Sequence, residues 1–115
     1  MTVSAMKRRT ALVLLASAAL AAGGRAAETP VALIVRQGKL LSGPRVIKLK
    51  RGDAVVLTVD ADQVDELHLH GYDLHTDVQP GRPGTLKFTA QRTGRFALEL
   101  HKAGLEVSVV EIYPR

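Results

Sequence analysis

Imidazole is the side chain that gives this sequence a chemistry. The chain has four histidines, His68, His70, His75 and His101, and no cysteine. Its two methionines, Met1 and Met6, stand at the extreme N-terminus. Thiolate nucleophiles, thiolate metal sites and disulfides are therefore absent. Neutral imidazole is a good ligand for Cu(II), Zn(II) and Ni(II), and Cu(II) binds tightest of these on general grounds. His68 and His70 alternate with leucine in Leu67-His68-Leu69-His70. In a strand, the two leucines fill one face and both imidazoles project from the other, about 6.5–7 Å apart. Such a pair can converge on one ion where the strand end curls. His101 closes another apolar run, just before Lys102-Ala103-Gly104. A loop there is expected to carry it toward the other two. Glu99 is a candidate oxygen ligand, and Tyr72 and Asp73 are candidates to brace the ligands from outside. His75 lies beyond the turn and is not expected to be a ligand. A strand histidine is also commonly an exposed or hydrogen-bonded residue, so a metal-free role stands beside the metal reading.

Other chemistries fail on their own patterns. Asp60-Ala61-Asp62 begins like a calcium loop, but Asp65 stands where the glycine is needed and Gly71 where the glutamate is needed. Arg51-Gly52-Asp53 reads as a turn entering a strand. No serine or threonine sits in a nucleophile-elbow setting, no carboxylate pair is framed by apolar residues, and no glycine loop is built to cradle phosphate. The chain is not expected to be an enzyme.

The elements that must position the histidines are short. Val31–Val35, Arg45–Lys50, Ala54–Val59, Leu67–Tyr72, Thr85–Ala90, Gly94–His101 and Leu105–Ile112 each read as strand, bounded by Gly, Pro or Asp. Their apolar residues recur with a period of two, as in Val55, Leu57 and Val59 or Phe96, Leu98 and Leu100. Gln79-Pro80-Gly81-Arg82-Pro83-Gly84 is the most strongly marked loop. About seven strands and no helix after the leader predict an all-β fold. One sheet of this pattern must cover its apolar face, so a small antiparallel Greek-key β-sandwich or barrel is expected.

The first 26 residues are read differently. Lys7, Arg8 and Arg9 precede an apolar run, Ala11–Ala22, and then Gly23, Gly24 and Ala26. Charge, apolar core and small-residue site make the pattern of a secretory signal peptide, with cleavage after Ala26 or after Ala21. The run is too short for a membrane span of about 20 residues. The pair Arg8-Arg9 is compatible with twin-arginine export. The domains expected are a signal peptide at 1–26 and one domain at 27–115, periplasmic or secreted and not membrane-spanning. Four of the 16 basic residues lie in the leader and none of the 11 acidic ones does, so the mature part carries 12 against 11, a net +1. That charge, with only Tyr72, Phe88, Phe96 and Tyr113 as aromatics, argues against a nucleic-acid partner. The core must suffice without disulfides in a part of this size.

Gly52-Asp53 and three longer pieces of the mature chain carry a resemblance. The longer pieces are Asp65-Glu66-Leu67-His68-Leu69-His70-Gly71-Tyr72-Asp73, Gly94-Arg95-Phe96 and Glu99-Leu100-His101-Lys102-Ala103-Gly104. Over Val31–Pro114 the layout resembles the cupredoxin-like domains of bacterial periplasmic proteins, and is similar to the copper domains of cytochrome oxidase subunit II and nitrous-oxide reductase. The resemblance implies ligand roles for His70, before an aromatic, and for His101. It also implies a cysteine where Leu98 stands and a methionine where Gly104 and Leu105 stand. Without that thiolate a blue-copper centre is not expected, and a dinuclear centre with two cysteines still less. What remains is a nitrogen-and-oxygen site of His70, His101 and His68, with Glu99 or water, for copper(II) and less readily zinc. Metal buffering, carriage or sensing would follow. The alternative is a metal-free module of the same fold that binds another cell-envelope protein.

Overall fold

A computed structural model describes residues 27–115. The leader expected at 1–26 lies outside the described residues. The described chain is all β, with nine strands: β1 (Glu28–Arg36), β2 (Lys39–Ser42), β3 (Val46–Lys50), β4 (Ala54–Ala61), β5 (Asp65–Leu69), β6 (Leu74–Val78), β7 (Gly84–Thr89), β8 (Gly94–Leu100) and β9 (Leu105–Tyr113). No helix among the described residues is long and apolar enough to cross a membrane.

Two sheets face each other. One has the order β2-β1-β4-β7 and the other β3-β9-β8-β5-β6. The alternation seen in the sequence is what closes the sandwich. In β4 every second residue, Val55, Leu57, Val59 and Ala61, is buried. From the other sheet Leu67, Leu69, Leu98 and Val110 come to meet them, each wholly buried. Burial of one such leucine contributes about 1.5–3 kcal/mol, so the inner faces are fixed and the residues between them must point outward.

The sandwich expected from sequence is present, with two refinements. Nine strands stand where about seven are legible. β2 is a four-residue edge strand with little burial, and β6 presents polar His75 and Asp77 outward. Neither offers an apolar run long enough to read alone. Also, β1 pairs with β4, and β3 with β9, in parallel, while the other pairings are antiparallel. Alternation dictates which face is buried but not which neighbour a strand takes. The Gln79–Gly84 loop is a tight turn, closed by reciprocal backbone bonds between Gln79 and Arg82 of 3.1 and 2.8 Å.

Candidate metal centre

β5 is the spine of the site. Leu67 and Leu69 lock its inner side into the core, so Glu66 and His68 project from the outer face of the sheet. After Leu69 the chain turns through His70-Gly71-Tyr72-Asp73 and returns as β6, with Leu74 opposite Leu69. Gly71 and Asp73 both adopt positive φ, 82° and 52°. Glycine does so freely and aspartate with tolerance. Gly71 has a second reason to be glycine, because a Cβ there would collide with the Phe96 ring. Tyr72 then pins the turn. Its hydroxyl accepts from Arg92 N at 2.9 Å and donates to Arg92 O at 3.1 Å, while its ring stands edge-on to Phe96. Arg92 in turn donates to the Gly71 carbonyl and stacks over the Tyr72 ring. Tyr72 and Asp73 thus shape the turn that carries His70.

The turn's length decides which histidines meet. Four turn residues set His75 directly opposite His68, and β8 sets Glu99 opposite His68 on the other side. The outer face therefore has a row His75–His68–Glu99, with His70 just beyond it. The His68 and His70 rings lie 4.3 Å apart, centroid to centroid, and His68 to His75 is 6.2 Å. His70 Nε2 donates to Glu99 Oε1 at 3.0 Å. On the other flank His75 Nδ1 is 3.8 Å from Glu66 Oε2. All of these side chains are partly or largely open to solvent.

His101 is placed elsewhere. β5 and β8 are antiparallel, so the end of β5 meets the beginning of β8. His70 N bonds Ala97 O, whereas His101 N bonds Glu66 O, each at 2.9 Å. Four strand residues separate those two anchor points, about 13 Å of chain. The structure therefore brings together His68, His70 and Glu99, and leaves His101 at the opposite end of the same ladder. Among the described residues no group of three or more His, Asp or Glu side chains is already close enough to hold a metal ion.

The end that carries His101 has a different organiser, one that the sequence does not announce. Asp65 is almost fully buried. Its Oδ1 accepts from Glu66 N and Lys102 N, both at 2.7 Å, and its Oδ2 from Ala103 N at 3.0 Å. The carboxylate is saturated by backbone donors and staples the β8–β9 turn to the start of β5. Outside it His101, Glu66, Asp77 and Lys102 line an open cleft of about 340 Å³. Glu66 and Asp65 are the residues that sequence reasoning passed over, and His75 is the one it does not place beside His68. A four-residue turn after Leu69 would have revealed His75, since it forces the register.

The fold has relatives of known structure. It matches a heme-copper terminal oxidase with a TM-score of 0.63 and 17% identity, over 74% of this chain and 63% of that one. It matches a copper-binding protein solved in its apo form with a TM-score of 0.60 and 15% identity, over 74% of this chain and 87% of that one. The metal-binding domain of a Cu(I)-exporting P-type ATPase from Streptococcus pneumoniae, solved with Cu(I), gives 0.62 and 12% identity, over 74% and 85%. The fold is cupredoxin-like. No protein-family model and no curated protein matches the sequence.

A cupredoxin-like fold invites the question whether a blue-copper ion fits here, and the donor set says that it does not. Leu98, at the position where the resemblance calls for cysteine, is wholly buried in the core. Leu105, near the position of the expected methionine, is half-buried against the same core. Neither supplies the thiolate or thioether of such a centre. Imidazole and carboxylate suit a different occupant. In a site with bonds of about 2.0–2.1 Å, two neighbouring ligand atoms lie about 2.9–3.4 Å apart, according to whether the angle is square or tetrahedral. The 3.0 Å between His70 Nε2 and Glu99 Oε1 falls inside that interval.

Proposed function

We propose that this chain is an exported cupredoxin-like protein that binds a transition metal on the outer face of its five-stranded sheet, Cu(II) in preference to Zn(II). It buffers, carries or senses the ion, without catalysing a reaction and without blue-copper electron transfer. One observation carries the reading: the His70–Glu99 pair, already at the spacing of two adjacent ligands, with the His68 ring 4.3 Å from that of His70. The proton between His70 and Glu99 occupies the place the metal takes, so binding releases it. His68, half-buried on the outer face, completes the set by rotating about its side-chain bonds. Water fills the remaining positions. The absence of sulfur donors favours Cu(II) over Cu(I). The copper-binding protein and the Cu(I)-loaded ATPase domain that share this fold support a copper role. The leader pattern at 1–26 supports the export.

A second reading has its own observation. Among the described residues no three-donor group is preassembled, which is also what a metal-free module for another envelope protein would look like. Calorimetric titration of the purified chain with Cu(II) and Zn(II), with electron paramagnetic resonance on the copper samples, separates the two. The metal reading predicts a Cu(II) step tighter than about 1 μM with nitrogen hyperfine structure. It predicts that His70→Ala weakens the step about 100-fold, or ~2.7 kcal/mol, and that His101→Ala changes it less than about threefold. Weak, non-stoichiometric binding indifferent to both substitutions would favour the metal-free module.

A further inference from the structure

The near-neutral total charge of residues 27–115 hides a sharp division. From Arg36 to Arg51 stand six cations and no carboxylate, which leaves six basic against 11 acidic residues, a net −5, for the rest. That basic segment is β2, the Gly43-Pro44-Arg45 turn and β3. β2 and β3 are edge strands of the two sheets, and the three-residue turn holds them on one side of the sandwich. β6 and β7 meet at the other side. Lys39 and Leu41 alternate with Leu40, which packs on the core, so both point out from the four-stranded sheet. Lys48 and Lys50 alternate with buried Ile47 and Leu49 and point out from the five-stranded one. Arg45 and Arg51 flank β3 and are exposed. The turn is fixed from inside. The buried Ser108 hydroxyl lies 2.9 and 3.0 Å from the Pro44 and Arg45 carbonyl oxygens, and Val109 N donates to Arg45 O at 3.1 Å. Arg36 is paired with Asp60. Among the described residues Lys39, Arg45, Lys48, Lys50 and Arg51 form no ion pair, and the carboxylates beside β3, Asp53 and Glu111, are taken by Arg115 and Arg95.

We infer that this edge docks on an anionic bilayer surface, with Leu41 and Tyr113 entering the headgroup layer between the cations. The inference stands apart from metal binding. Leu41 is 70% exposed and Tyr113 46%, and Tyr113 is the register partner of Lys50. A leucine set among cations enters the boundary of the acyl chains, and a tyrosine rests at headgroup level. The cations stand on both outer faces of the edge and in the turn between them. A continuous flat surface meets them all, whereas an acidic peptide laid along β3 meets only Lys48 and Lys50. Lysines on an edge strand also keep other strands away, but Arg45 and Arg51 carry the charge past both ends of β3, where there is no edge to protect. Lys48, Lys50, Asp53, Tyr113 and Arg115 border an open hollow of about 450 Å³, room for a lipid headgroup. Three strand spacings, about 14 Å, separate β3 from β5. A chain docked by this edge therefore keeps the His70 turn in water.

The chain has no cysteine, so a single introduced one can carry an environment-sensitive fluorophore. Ser42→Cys labels the docking edge and Asp77→Cys the far one. The full chain is titrated with vesicles of phosphatidylcholine containing about 30% phosphatidylglycerol. The inference predicts a blue shift from the label at 42 and none from the label at 77. Binding through residues 1–26 alone would shift neither. Each Lys or Arg near an anionic leaflet strengthens binding about fivefold, so Lys48→Gln combined with Lys50→Gln weakens it about 25-fold. Leu41→Ser weakens it about fivefold, and salt at about 0.5 M releases the edge. An equal shift on pure phosphatidylcholine, a shift at 77 without one at 42, or no shift at either would overturn the inference. Binding to soluble polyglutamate but not to vesicles, lost in the double lysine variant, would overturn it in favour of an acidic protein partner.

Discussion

The two ends of the β5–β8 ladder make an instructive pair. Each carries a four-residue turn, each turn begins with a histidine, and each is closed by a backbone bond of 2.9 Å to the neighbouring strand. At one end a carboxylate, Asp65, is buried and already accepts from three backbone amides. It holds the turn and has little left to offer an ion. Midway along the ladder, opposite His68, the partly open Glu99 carboxylate reaches the imidazole of His70 at the other end. The turn there is held instead by Tyr72, Arg92 and a glycine packed against Phe96. The lesson is a division of labour. Where a carboxylate does the structural task, its oxygens are committed to backbone amides and are withdrawn from metal chemistry. Where backbone and aromatic contacts do it, the carboxylate is free for chemistry.

That comparison can be broken at several points. The largest effect is expected at Asp65. Asp65→Ala strands backbone amides that a buried carboxylate satisfies, at about 3 kcal/mol. For a domain of this size that is a fall in Tm of about 12–24 °C. Thermal melts should show it, while Cu(II) affinity measured well below the melting range stays within about threefold. A parallel loss of Cu(II) binding would mean that the His101 end is the metal end after all. Next comes Gly71→Ala, which forces a side chain into positive φ and against Phe96, at about 2 kcal/mol. Here denaturant unfolding and metal affinity should fall together, because the turn that carries His70 is displaced. Unchanged metal affinity in a destabilised Gly71→Ala protein would separate turn shape from binding and contradict the account. Smallest is Tyr72→Phe. It removes both bonds to Arg92 and keeps the ring, at about 1 kcal/mol, with Cu(II) affinity lowered by less than tenfold.

Much of the fold was legible because burial imposes a period of two. Val55, Leu57 and Val59, or Leu67 and Leu69, announce their inner faces without help from anything distant. The same rule placed His68 and His70 together on the outer side. The parallel partners of β1 and β3 were not legible, because they depend on crossovers between sheets. His101 shows the limit most clearly. A loop after Leu100 suggests nearness to His70, but antiparallel pairing of β5 with β8 sends the two to opposite ends. His75 shows the converse. In sequence it lies past a turn, yet the turn's length puts it opposite His68. Asp65 gave no signal, since a buried aspartate that caps a turn looks in sequence like any polar loop residue.

The most direct test of the central claim is a proton–nitrogen correlation spectrum of the isotopically labelled protein with a small fraction of an equivalent of Cu(II). Paramagnetic broadening marks the amides nearest the ion. The account predicts that the signals of His68 to Tyr72 and of Glu99 fade first, while those of Lys102 to Leu105 remain sharp. Fading that begins at His101 to Gly104, with the His70 turn unaffected, would contradict it.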